Sequence, residues 1–185
     1  MISDDENKRY FDEAANNLDL WILRANDLFL ASCVLMERID YEEFSKPSFF
    51  DRNPEIYSIL FPAIMLRAFS VECFLKALWI SKGNKVSTDG TYKIDTLKKE
   101  NHDLVAISSA VGFTLCQNQK EVLHKLSKFG QSFGRYPIAR RWHDQRLQND
   151  EGGIPHVLNW DKNDTFVVDE LIERIKKEIY SRKES

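Results

Sequence analysis

An all-α fold is predicted for this chain, an up-and-down bundle of four to five helices with a small β-hairpin inserted near 85–95. Three observations lead there. Apolar residues recur at helical spacing in five separate segments. Seven glycines and five prolines in 185 residues are too few for the many tight turns of an all-β protein. The stretch from Ala63 to Lys82 is apolar nearly all round, which suits a helix at the centre of a bundle. With 43% hydrophobic and 30% charged residues the composition is that of an ordinary globular protein. No internal repeat, low-complexity tract or boundary divides it, so 1–185 reads as a single domain.

The elements follow in order. Ser3 and Glu6 form a capping-box pattern that starts the first helix. Apolar or small residues then recur at Phe11, Leu18, Ala25, Ser32 and Ile39, with a second row at Ala14, Trp21, Leu28 and Leu35. That seven-residue repeat, held for about four heptads, predicts one long helix with a stripe against a long partner. Asp12, Asn16, Asp19, Asn26 and Glu37 fall on the opposite, solvated side. Lys46 to Asn53 is a connection, and Asn53-Pro54-Glu55 starts the second helix. Pro62 is expected to kink or restart it, and Gly83 to end it. Val86 to Ile94, with Asp89-Gly90 at its centre, has the pattern of a hairpin. A third helix is predicted from about Asn101 to Val111, stopped by Gly112. Asn118-x-x-Glu121 is expected to cap a fourth, whose core face is Val122, Leu126, Phe129 and Phe133 and which ends at Gly134. Asp144 to Asp164 reads as a long polar loop, and a last helix runs from about Thr165 to Arg182.

Composition also limits function. A net charge of −3 gives the chain as a whole no electrostatic reason to seek nucleic acid or an anionic membrane. Cys33, Cys73 and Cys116 are odd in number and have no metal-ligand spacing, so reduced, buried thiols in a cytoplasmic protein are expected. The N-terminus is acidic, unlike a signal peptide. Ile59 to Ile80 has the length of a membrane span, but Arg67, Glu72 and Lys76 within it would be costly in hydrocarbon. It reads as a core helix, with no membrane expected.

The same helix carries a resemblance. Its core, Ala68-Phe69-Ser70-Val71-Glu72-Cys73-Phe74-Leu75-Lys76-Ala77-Leu78, is followed by Gly83 and then by His102-Asp103-Leu104. This resembles the HEPN class (higher eukaryotes and prokaryotes nucleotide-binding), whose members carry an Ala-x-x-x-Glu-x-x-Leu-Lys-x-Leu helix, a following Gly, and a His-Asp-Leu opening the next helix. Arg135-Tyr136-Pro137 is similar to a further feature of some members, and the likeness spans roughly Trp21 to Arg141. The resemblance implies a helical bundle, usually a homodimer, often in bacterial toxin–antitoxin or phage-defence systems. Many members are metal-independent RNases that use an Arg followed four to six residues later by a His. The His moves the ribose 2′-hydroxyl proton, and the Arg steadies phosphate charge.

That pair is missing here. His102, His124 and His156 have no Arg at the required distance upstream, and His143 has Arg135 eight and Arg140 three positions before it. The mismatch favours a non-catalytic module over an endoribonuclease. If the chain is an RNase, its site is non-standard and draws on His143, Arg135 and Arg140. Glu72 and Lys76 stand four apart in the favourable order, so an intrahelical ion pair shared with Arg67 or His102 is expected. His102 is expected to plug the bundle end by bonding a carbonyl, with Asp103 favoured at the start of a helix. No metal site is expected, because no second ligand follows at helical spacing. No cofactor is expected either, and no glycine-rich phosphate loop exists.

From Lys120 to Arg146, seven Lys or Arg face only Glu121 and Asp144, a local net charge of +5. Tyr136 and Trp142 are interleaved with Arg140, Arg141 and Arg146, a mixture suited to phosphate contact and base stacking. The plainer alternative is a solvated basic face that answers an acidic surface. The expected function is therefore a non-catalytic HEPN-like module that binds RNA, a nucleotide or a protein partner. The alternatives are a HEPN-type RNase with a non-standard site and a purely structural interaction protein.

Overall fold

The computed structural model describes residues 3–42, 54–92, 102–130 and 160–183. Among these, six helices and one two-stranded ribbon are found: α1 Asp4–Ala15, α2 Leu18–Met36, α3 Pro54–Ser81, β1 Ser87–Thr88, β2 Thr91–Tyr92, α4 Leu104–Val111, α5 Gln117–Lys128 and α6 Lys162–Lys183. The all-α bundle with a small hairpin is therefore the fold of the protein. Residues 131–159, with Phe133 and Gly134 among them, lie outside the described residues.

The predicted long first helix is in fact two. Ser3 caps α1 as expected, taking the Glu6 amide at 3.2 Å while Glu6 takes the Ser3 amide at 2.9 Å. At Asn16-Asn17 the chain breaks. The Asn17 side chain accepts from the amides of Asp19 and Leu20 and starts α2 afresh. The seven-residue apolar repeat continues across the break, so periodicity alone conceals it. The stripe also fails to find its partner in α1, which buries none of its residues. From Leu18 onward it does: Ile22, Ala25, Ser32 and Met36 of α2 are buried.

They pack on α3, the hub of the bundle, which touches α2, α4, α5 and α6. Two hydrogen bonds fix how α2 and α3 meet. The Ser32 hydroxyl donates to the Ala63 carbonyl at 2.9 Å, and the Ser70 hydroxyl donates to the Ala25 carbonyl at 2.8 Å. Later residues of α2 thus face earlier residues of α3, so the two helices run antiparallel. All four residues at the seam are small and completely buried, which lets the backbones approach closely. The far side of α3 presents Leu75 and Leu78 to a core shared with Ile107, Leu123, Leu126, Leu171 and Ile172. Pro62 does not divide α3, which runs unbroken through it. Gly83 ends the helix region as expected, with φ +83° and its amide on the Ile80 carbonyl at 2.9 Å.

The hairpin turns at Asp89 and Gly90, both at positive φ, as its Asp-Gly sequence predicts. It is clamped to α1 by two residues expected to face solvent. Asp12 accepts from the Ser87 hydroxyl and the Gly90 amide. Asn16 accepts from the Val86 amide at 2.8 Å and donates to the Ser87 carbonyl at 3.0 Å. α4 starts later than predicted, at Leu104, because Asp103 is its cap and bonds the amides of Val105 and Ala106. α5 starts earlier than Asn118: Gln119 reaches back to the Cys116 amide at 3.1 Å, which places the cap at Cys116. α6 starts at Lys162, where Asp161 and Asp164 bond each other's amides, so the predicted loop ends before Asp164.

The seam makes a graded prediction. Ser70→Ala removes one buried hydrogen bond and should cost about 1 kcal/mol. Ser70→Leu forces the helices apart and should cost more, up to about 3 kcal/mol. Urea unfolding of the two variants measures both; equal midpoints would mean the seam is not close-packed.

Candidate functional site

The buried face of α3 carries three ionisable side chains in an apolar setting, and each has found a partner. Glu72 sits at the centre. Its Oε1 takes Lys76 Nζ at 2.5 Å, the helical pair that the four-residue spacing predicts. Its Oε2 takes His102 Nδ1 at 2.7 Å. An ionised carboxylate only accepts, so Nδ1 carries the proton and Nε2 is the ring nitrogen left for other contacts. The expectation that His102 bonds a carbonyl is therefore corrected to a carboxylate 30 residues away in sequence.

His102 is held from several directions. Its backbone lies at φ +67°, a left-handed conformation that costs a non-glycine residue free energy. The Phe69 ring meets it edge-on with centroids 6.1 Å apart, and Gly130, just past α5, packs beside it. Lys76 lies between two aromatic rings, with Nζ 5.4 Å from the centre of Trp21 and 5.5 Å from that of Tyr92. Trp21 is itself fixed, donating from Nε1 to the Ala15 carbonyl at 2.7 Å. Tyr92 arrives on the hairpin that Asp12 and Asn16 clamp, so the break between α1 and α2 helps to close this site. Tyr92 is the member sequence reading missed.

Burial alone would push the Glu72 carboxyl up. The His102 hydrogen bond and the Lys76 charge outweigh it and hold the group down at about 2. Burial would likewise depress Lys76, but the Glu72 charge beside it lifts the ammonium above its ordinary value. Burial raises the neighbouring Cys73 thiol to about 11, so Cys73 is a poor nucleophile at neutral pH. Cys33 and Cys73 are partly buried, as a reduced core thiol would be, whereas Cys116 is exposed at the start of α5.

Arg67 does not share Glu72, contrary to one of the expected pairings. Five residues apart on a helix, the two point in different directions. Arg67 is only 2% exposed and turns toward α6, where its Nη1 bonds Asp169. Its guanidinium lies 5.3 Å from the centre of the Phe29 ring, and Nη2 reaches Cys33 Sγ at 3.8 Å. Lys125, counted above in the basic segment, is spent on Asp164 at 2.7 Å and ties α5 to α6. Lys120 and Lys128 are exposed on α5. Arg135, Tyr136, Arg140, Arg141, Trp142, His143 and Arg146 lie outside the described residues. Among the described residues no cluster of side chains has the makings of a metal site.

The other conspicuous surface is apolar. Leu20, Leu23, Leu30 and Val34 line the outer face of α2, 49% to 66% exposed, on the side away from α3. Beside them a hollow of about 410 Å³ opens between α1 and α2, lined by Phe11, Ala14, Leu20, Trp21, Leu23 and Arg24 among others. No family model, no curated protein and no solved structure matches the chain.

The Glu72 pairing sets a pH dependence. Its folded pKa lies below the unfolded value near 4.5, so its stabilisation is fully present above about 4.5 and is lost as pH falls toward 2. The contribution is of the order of 3 kcal/mol. Glu72→Gln should lower the melting temperature at pH 7, and its difference from the unaltered protein should shrink between pH 5 and pH 2. A difference constant across that window would contradict the pairing.

Proposed function

We propose that this chain is a HEPN-like, non-catalytic binding module that works by docking a protein partner, in the cytoplasm and in a toxin–antitoxin or phage-defence setting. The observation that carries the reading is the outer face of α2. Four large apolar side chains are spaced along one stripe of a helix whose other side is already packed. Scattered exposed leucines need no explanation, but four large apolar side chains on one helix face beside a mostly apolar hollow are a usual mark of a protein contact.

The buried ions support the same reading. Glu72, Lys76, Arg67 and Lys125 are each committed to pairs that join α3 to the loop before α4, α3 to α6, and α5 to α6. Such groups fix the bundle's geometry and are not free to bind phosphate. α3 is the one helix among the described residues long and apolar enough to cross a membrane, by length and composition. Its ion pairs and its contacts with four other helices favour a core role instead. Contact with RNA or a nucleotide, on this reading, belongs to the 120–146 segment.

A second reading is favoured by one observation. His102 Nδ1 is held by Glu72 at 2.7 Å on a strained backbone, an arrangement that orients an imidazole for proton transfer through Nε2. That would make the protein an RNase built on His102, with His143, Arg135 and Arg140 as the other candidates.

A labelled single-stranded RNA, incubated with purified protein with and without divalent metal, separates the two. The RNA should stay intact. Cleavage abolished by His102→Ala would replace the docking module with the Glu72–His102 site, and cleavage abolished by His143→Ala would move it to the basic segment.

A further inference from the structure

We infer that the hollow between α1 and α2 binds a small zwitterion with an aromatic body, an aromatic α-amino acid being the simplest compound of that kind. The hollow follows from the break at Asn16-Asn17. Two helices that meet at a break leave space between them, and Ala14 and Ala15 are too small to fill it. At about 410 Å³ it falls within the range of small-molecule pockets, roughly 300–1,000 Å³. The site adjoins the docking face through Leu20 and Leu23, but it needs no partner protein to be complete.

Its walls are apolar and aromatic. Phe11 comes from α1, and Leu20, Trp21 and Leu23 come from α2. Trp21 is fixed before any ligand arrives: its Nε1 donates to the Ala15 carbonyl at 2.7 Å, and Lys76 Nζ lies 5.4 Å from the ring centre. A ring so held loses little freedom when a ligand meets it. Phe11 is exposed and supplies a second ring. Offset or edge-on contact with either ring favours an aromatic body over an aliphatic one.

Two charges set the polar end. Arg24 and Asp27 both line the hollow, and both are exposed. They stand three residues apart on α2, near enough to pair with each other. Among the described residues, however, neither forms an ion pair. A purely apolar ligand would take water from both and give nothing back. An anion alone would answer Arg24 and crowd Asp27, and a cation alone would do the reverse. A compound with a carboxylate and an ammonium on one carbon answers both. The Arg24 guanidinium takes the carboxylate through two parallel N–H bonds, and Asp27 accepts from the ammonium.

Heteronuclear NMR of the full chain tests this through the indole N–H of Trp21, which Trp21→Phe picks out from the four tryptophans. L-Phenylalanine is added from about 0.1 to about 20 mM, a range set by the millimolar affinity that so few contacts supply. The Trp21 signal should shift and saturate, with a midpoint of about 1 mM. Phenylalanine amide lacks the carboxylate and N-acetylphenylalanine lacks the ammonium, so each should bind at least about 10-fold more weakly. Arg24→Gln should bring L-phenylalanine and its amide to the same affinity. Asp27→Asn should do the same for L-phenylalanine and its N-acetyl form. Both residues are exposed, so the circular dichroism spectrum of each variant should be unchanged. No saturable shift at the highest concentration, or three ligands that bind alike, overturns the inference. A carboxylate preference that survives Arg24→Gln overturns it too. So does a Trp21 signal that follows the protein's own concentration and ignores the amino acid, which gives the hollow to a protein contact.

Discussion

The antiparallel seam between α2 and α3 is the contact on which the remaining architecture depends. Ser32 and Ser70, seven residues from Ala25 and Ala63 respectively, donate across it in reciprocal directions, and no large side chain separates the two backbones. Because the hydroxyls are satisfied by the facing carbonyls, their burial carries no desolvation penalty of an unpaired group. The seam uses one side of α3 and so assigns α4, α5 and α6 to the other. It also uses one side of α2, which turns Leu20, Leu23, Leu30 and Val34 outward with nothing in the described chain to cover them.

The buried charges follow from that arrangement. A central helix that also carries Arg67, Glu72 and Lys76 must pair each of them, since an unpaired ion in an apolar interior costs several kcal/mol. Glu72 solves this within its own helix through Lys76 and beyond it through His102, while Arg67 reaches Asp169 on α6. Each bond therefore records a packing decision: His102 fixes the approach to α4, and Asp169 fixes the rotation of α6. The hairpin belongs to the same network, because Asp12 and Asn16 hold it where Tyr92 covers Lys76.

What the sequence makes legible depends on how local the cause is. The Ser3–Glu6 box, the Asp89-Gly90 turn, the Gly83 and Gly112 stops and the all-round apolar helix are set by residues a few positions apart, and all are found in the structure. The Glu72–Lys76 pair is legible for the same reason. The break at Asn16-Asn17 is not, because an apolar repeat runs through it and only the capping bonds of Asn17 reveal it. Glu72 with His102, 30 positions apart, is one of the two sharings expected, whereas Arg67 with Asp169, 102 positions apart, is a proximity that only the fold creates. The outer face of α2 is illegible for another reason: Leu20, Leu23 and Leu30 fall outside the apolar rows that the seven-residue repeat picks out, and only their exposure in the fold sets them apart. The basic and aromatic residues from Arg135 to Arg146 stand outside the described residues, so their grouping remains a property of the sequence.

The seam leaves α2 with two unlike faces, one closed by α3 and one, carrying Leu20, Leu23, Leu30 and Val34, exposed among the described residues. Hydroxyl-radical footprinting of the dilute protein reads this directly, because reactivity follows the solvent exposure of individual side chains. Leu20, Leu23 and Leu30 should react, as should Phe166 and Tyr180, exposed on α6, while Ile22, buried against α3, stays unreactive. A reactive Ile22, or Leu20, Leu23 and Leu30 protected as fully as Ile22, would contradict the seam.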